Sequence, residues 1–123
     1  MPGKAVRAQI KDLTSLVSNT FHLPGTGRLI LETLLATKTA LSVKDLLKRV
    51  KRSERSVRGA LDHLVAKGVL LRKVSLTGRK RLAYLYTIGP MDRIVQVVRG
   101  EILNQLESLE RLEGTLHETK VPG

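Results

Sequence analysis

The order of periodicities between residues 42 and 88 constrains this chain most. From Ser42 onward, Leu46, Leu47 and Val50 recur at helical spacing. The pattern breaks at Lys51-Arg52 and resumes after Ser53 with Val57, Ala60, Leu61, Leu64 and Val65. It then gives way to two runs, 69–76 (VLLRKVSL) and 81–88 (RLAYLYTI), rich in β-branched, leucine and tyrosine residues. Two short helices joined by a tight turn and followed by a two-stranded ribbon can close a core in few ways.

Local signals mark the boundaries of these elements. Ser42 can cap free N–H groups, and Asp45 three residues on completes a pattern close to a capping box. Ser53 is placed as the next N-cap, and Gly68 lies where a left-handed residue closes a helix. Thr77-Gly78-Arg79-Lys80 reads as the hairpin turn, with Gly78 at the position needing positive φ. The ribbon's core face stays ambiguous, because Leu82, Tyr84, Tyr86 and Ile88 compete with Ala83 and Leu85.

Upstream, Val6, Ile10, Leu13, Leu16 and Val17 predict a helix over 4–19 with one buried stripe. Asn19, Thr20, Pro24, Gly25 and Gly27 predict a loop after it. A second helix is expected from about Thr26 to Ala36, apolar over much of its circumference through Leu29, Ile30, Leu31, Leu34 and Leu35. Thr37 to Leu41 reads as a short strand. Downstream of Gly89-Pro90 a helix is expected over roughly Met91 to Glu113. Val95, Val98, Ile102, Leu109, Leu112 and Leu116 form its heptad seam, Gln105 is the one polar seam position, and Gly114 weakens the last turns.

Composition narrows the function classes. A chain of 123 residues suits one compact domain, and 41% apolar content supports a core. Aromatics are 2%, one Phe and two Tyr with no Trp, so the core is aliphatic and multi-base stacking platforms are largely excluded. The absence of cysteine removes disulfides, thiolate zinc sites and cysteine nucleophiles. No run approaches the ~18 apolar residues of a membrane span, and Met1 to Ile10 lacks the apolar stretch of a signal peptide. The chain is therefore expected to be soluble and cytoplasmic, associated with the nucleoid. His22, His63 and His117 have no ligand-like spacing, so no metal is expected. The stretch Pro24 to Arg28 lacks the Lys-Ser/Thr of a phosphate loop, and Glu107, Glu110 and Glu113 read as a solvated helix face. No catalytic constellation emerges, and neither an enzyme activity nor a cofactor is expected.

Charge supplies the positive clue. Twenty-two Lys/Arg against eleven Asp/Glu give +11, which favours a polyanionic partner. The excess is localised: residues 44–81 carry net +10, residues 1–43 carry +3, and residues 91–123 carry −2.

The order helix, short strand, helix, turn, helix, hairpin is that of a winged helix-turn-helix, mainly α with a small β-hairpin, here flanked by N- and C-terminal helices. The second helix of a helix-turn-helix enters the DNA major groove. With Val57, Leu61 and Leu64 turned inward at 100° per residue, Arg55, Gly59 and Asp62 point outward, with Ser56, Arg58 and His63 on the flanks. Arginine can grip guanine O6/N7 with two hydrogen bonds. Gly59 removes a side chain where the helix would approach DNA. The candidate DNA-binding set is Arg52, Ser53, Arg55, Ser56, Arg58, Gly59 and His63, with Arg72, Lys73, Arg79, Lys80 and Arg81 on the hairpin. Blander readings stand beside several of these: Ser53 as a cap, His63 as a surface histidine, and Lys44, Lys48 and Arg49 as a solvated face.

The stretch Ser53 to Leu70 carries Ser-x-Arg-Ser-Val, then Ala-Leu-x-x-Leu, then Gly-Val-Leu. It resembles the recognition helix and following strand of MarR/TrmB/ArsR-type winged-helix transcriptional regulators, and the resemblance extends over roughly residues 26–88. It implies binding to double-stranded DNA, usually as a dimer through terminal helices. The expected organisation is a dimer-forming N-terminal helix in 1–23, a DNA-binding unit in 24–89, and a coiled-coil-like dimerisation helix and tail in 90–123. The expected dimer contacts are Val95, Val98, Ile102, Gln105, Leu109 and Leu112. The expected function is sequence-specific DNA binding as a homodimer in transcription control. Rival expectations are an architectural chromatin protein with little base preference, a winged-helix protein-interaction module, and, more weakly, RNA binding. No sensor domain is recognisable, and whether a small-molecule effector controls binding is left open.

Overall fold

The computed structural model describes residues 4–77 and 81–118. The elements are α1 (Lys4–Phe21), α2 (Gly25–Thr37), α3 (Val43–Arg49), α4 (Glu54–Ala66), β1 (Leu70–Thr77), β2 (Arg81–Ile88) and α5 (Met91–Glu118). This is a winged helix-turn-helix with flanking helices.

The first two helices meet more tightly than the sequence suggests. Asn19 and Thr20 stay helical, and α1 ends where His22 takes the left-handed conformation (φ 55°). The Leu23 N–H then donates to the Ser18 carbonyl at 2.8 Å, the closing bond of a Schellman-type end. Pro24 is the N-cap of α2, so Gly25 and Gly27 form its first turn rather than a loop. A Cβ at Gly27 would lie 3.4 Å from Leu23 Cβ, so glycine lets the connection fold back on α2.

The expected strand at Thr37 to Leu41 shrinks to one bridge, Leu41 with Tyr86, closed by hydrogen bonds of 2.9 and 2.8 Å. The threonines before it are helical, and their hydroxyls donate to backbone carbonyls one turn back, Thr33 to Leu29 and Thr37 to Thr33. Lys38, at φ 56°, ends α2. The Ser42–Asp45 capping box is complete, with both hydrogen bonds at 3.1 Å.

Antiparallel β1 and β2 pair from Leu70↔Ile88 to Thr77↔Arg81. Directly opposed residues share a face, so Leu70, Arg72, Val74, Leu76, Tyr84, Tyr86 and Ile88 lie on one side. The core takes that face only at the base, through buried Leu70 and Tyr86. Beyond them the ribbon leaves the protein body, and Val74, Leu76 and Tyr84 are exposed.

One aliphatic cluster joins the elements. Ile30, Leu31 and Leu34 of α2, Leu46 of α3, and Val57, Leu61 and Leu64 of α4 meet Val17 of α1 and Ile94 and Val98 of α5. On α1 the buried face differs from the expected stripe. Thr14, Val17 and Ser18 are buried, whereas Val6 and Leu16 are exposed. Small side chains let α1 lie close to α2, which turns Leu13 and Leu16 toward α5 instead. The α5 helix continues through Gly114 to Glu118, a length of 28 residues or about 42 Å. Only its first turns reach the core.

Candidate nucleic-acid interface

The start of α4 is fixed by its own serines. Ser53 Oγ accepts the Ser56 N–H at 3.1 Å, and its hydroxyl donates to Ser56 Oγ at 3.0 Å. Four inward residues, Val57, Ala60, Leu61 and Leu64, are buried. That packing rotates the opposite face outward. Arg55, Ser56, Arg58, Gly59, Asp62 and His63 are all exposed, as are Arg52 and Ser53 in the preceding turn.

The cations differ in what holds them. Arg58 Nε bonds Glu54 Oε2 at 2.9 Å, one helical turn back. Arg52 donates to the Lys51 carbonyl at 3.2 Å and lies beside the start of α2, where a Cβ at Gly25 would sit 3.7 Å from its guanidinium. Arg55 has no acidic partner among the described residues. Gly59 meets no packing demand: a Cβ there would find nothing within 4 Å.

Two depressions flank α4. On one side a cleft of about 400 Å³ separates it from the α1–α2 turn, with Ser56, Gly59 and His63 facing His22, Pro24 and Thr26. Sequence reasoning missed this second wall, because it appears only once α1 and α2 are closed by the His22 turn. On the other side a groove of about 250 Å³ runs between Lys44 and Arg58 on the helices and Ala83 and Tyr84 on the hairpin.

The hairpin residues separate by face. The Arg72 guanidinium stacks on the Tyr84 ring, 4.7 Å from its centroid. Exposed Lys73 points to the other side of the ribbon. Arg81 opens β2 opposite Thr77. Gly78, Arg79 and Lys80 lie outside the described residues.

The expected seam of α5 also divides. Val98 is buried against the chain's own core, and Gln105 Nε2 donates to the Thr20 carbonyl of α1 at 2.8 Å. Val95, Ile102, Leu109 and Leu112 stay exposed, joined by Leu103 and Leu106, which the heptad reading passed over. Leu13 and Leu16 of α1 face Val95, Ile102 and Leu103 of α5 across an apolar groove of about 310 Å³.

Among the described residues no cluster of His, Cys, Asp or Glu has the arrangement of a metal site, and no helix is long and apolar enough to cross a membrane.

No family model and no curated protein matches the sequence. Solved structures do match. A possible transcriptional regulator from Methanosarcina mazei Go1 aligns with a TM-score of 0.70 at 17% identity, covering 87% of this chain and 88% of the other. The ST1889 protein from the thermoacidophilic archaeon Sulfolobus tokodaii aligns with a TM-score of 0.64 at 18% identity, covering 85% of this chain and 98% of the other. At such identities the likeness is one of fold, and it spans the flanking helices as well as the central unit: this chain is a winged helix-turn-helix protein of the architecture found in those archaeal structures.

Proposed function

We propose that the chain binds double-stranded DNA as a homodimer and regulates transcription, with the outward face of α4 selecting bases. One observation carries this reading. The most cationic segment of the chain folds so that Arg55, Arg58 and Gly59 lie on a helix face left exposed by the described residues. The major groove admits a helix, and the paired depressions beside α4 leave room for the groove walls. Arg52, Arg72 and Lys73 are assigned to phosphate, which fixes register without reading sequence. Arg79, Lys80 and Arg81 are assigned the same role from sequence alone. The M. mazei structure of the same fold, described as a possible transcriptional regulator, agrees with this reading.

Dimer formation rests on α5. Exposed leucines at 106, 109 and 112 lie beyond the reach of α1, whose last residue is Phe21 and whose Thr20 meets Gln105. A twofold mate would bury them and set two α4 helices at half-sites about 34 Å apart. The −2 charge of residues 91–123 suits a region held away from DNA.

Selection of bound fragments from random duplex DNA tests the reading. A recovered consensus bound at least ~10³-fold tighter than bulk DNA supports a sequence-specific regulator. Binding without a consensus would favour an architectural DNA-binding protein, and no duplex binding at low salt would contradict both.

A further inference from the structure

The exposed face of the hairpin asks for an occupant. Leu76 is 73% exposed, Val74 60% and Tyr84 47%, all on one side of a two-stranded ribbon. Single surface hydrophobics are ordinary, but a continuous apolar strip on a projecting ribbon is an aggregation hazard unless something covers it. The strip is not electrically neutral at its edges. Arg72 lies on the same face, stacked on Tyr84, and Tyr84 in turn lines the groove with Lys44 and Arg58. The acid bonded to Arg58, Glu54, is the one carboxylate ion-paired there among the described residues. An occupant therefore meets apolar side chains rimmed by cations.

A purely apolar protein surface would strip water from those cations and return no charge. The minor groove of a duplex offers both partners: sugar C–H groups along its walls and phosphates along its rims. Proteins that insert leucine or similar side chains there partly unstack a base step and kink the helix. We propose that Val74 and Leu76 form such a wedge, so that the protein bends the DNA it binds, with pyrimidine–purine steps favoured beneath the hairpin because they kink most easily. This rests on the DNA-binding reading above and adds an activity to it: deformation of the duplex, by residues that read no base edge.

Energy transfer between dyes on the two ends of a duplex of about 30 base pairs measures the bend. Wild-type protein at saturation should shorten the end-to-end distance. Leu76→Ser should return it toward the free-duplex value while affinity falls roughly tenfold, and Val74→Ser should do so in part. Both positions are exposed, so an unchanged circular dichroism spectrum and melting transition are expected of the variants. A saturated wild-type complex with straight DNA, or a Leu76→Ser complex bent like wild type, would overturn the wedge while leaving DNA binding intact. A change in the sedimenting mass of Leu76→Ser without DNA would also overturn it, by assigning the strip to protein contact. Failure of the wild-type protein to bind any duplex at low salt would remove the underlying reading itself.

Discussion

Gly59 sits in the middle of a helix, where glycine is less stable than alanine by about 0.5–1 kcal/mol. Among the described residues nothing offsets that cost. Gly59 lacks the positive φ that marks Gly68, and an added Cβ would meet open space. Under the proposed function the offsetting factor is the partner: a bare backbone would let α4 lie deeper in the DNA groove. Gly59→Ala should therefore stabilise the free protein by ~0.5–1 kcal/mol in urea titration, yet weaken binding to a selected duplex by tenfold or more. Stabilisation with unchanged affinity would show that α4 does not approach DNA at this position. The neighbouring residues show why identity alone assigns roles poorly. Arg55 and Arg58 are indistinguishable by composition, but Arg58 falls one turn after Glu54 and is bonded to it, whereas Arg55 is not. Ser53 and Ser56 bond each other, so the cap at the start of α4 is maintained without DNA.

At the level of elements, α3 braces α4, and its N-terminus depends on a titratable cap. The Ser42 amide, and secondarily the Ser42 hydroxyl, hold the Asp45 carboxyl below its ordinary value of 3.8. A depressed carboxylate stabilises the fold fully above its unfolded pKa and loses that contribution as pH falls through the folded value. The stability difference between wild type and Asp45→Asn should thus be constant near neutrality and shrink on acidification below about pH 4, as read from urea midpoints against pH. A difference that does not change in acid would remove the ionised cap from the account. The elements themselves were largely legible in the sequence, because caps and periodicity act locally. Ser42, Ser53 and Gly68 mark their boundaries as expected. What the sequence did not disclose depends on distant neighbours. Thr37 completes α2, which ends only at left-handed Lys38, and the strand before Ser42 is reduced to the Leu41–Tyr86 bridge. Likewise, the stripe on α1 looked like a core face, yet α2 accepts Thr14 and Ser18 in place of Leu16. The core face of the hairpin was undecidable from alternation, since the same face is buried at Tyr86 and exposed at Tyr84.

Across the whole molecule, the cationic excess and the leucine face of α5 lie in different parts of the chain. Net +10 gathers in residues 44–81, around α4 and the hairpin, while the far half of α5 presents leucines between glutamates. The proposed twofold dimer through α5 would bury those leucines and leave both α4 faces outside. Replacing Leu109 and Leu112 together with lysine should convert the protein to a folded monomer in sedimentation experiments, because both side chains are about three-fifths exposed in the protomer (61% and 59%) and contribute little to its own core. A double variant that sediments as wild type would place the interface elsewhere. The direct test of the central claim, that the outward face of α4 reads duplex DNA, is a titration of wild type and Arg55→Ala against the selected duplex and single-base variants of it at fixed salt. Arg55→Ala should lose about 1–3 kcal/mol on the selected duplex, with discrimination relaxed at one base position. Equal affinity of the two proteins for every duplex would contradict it.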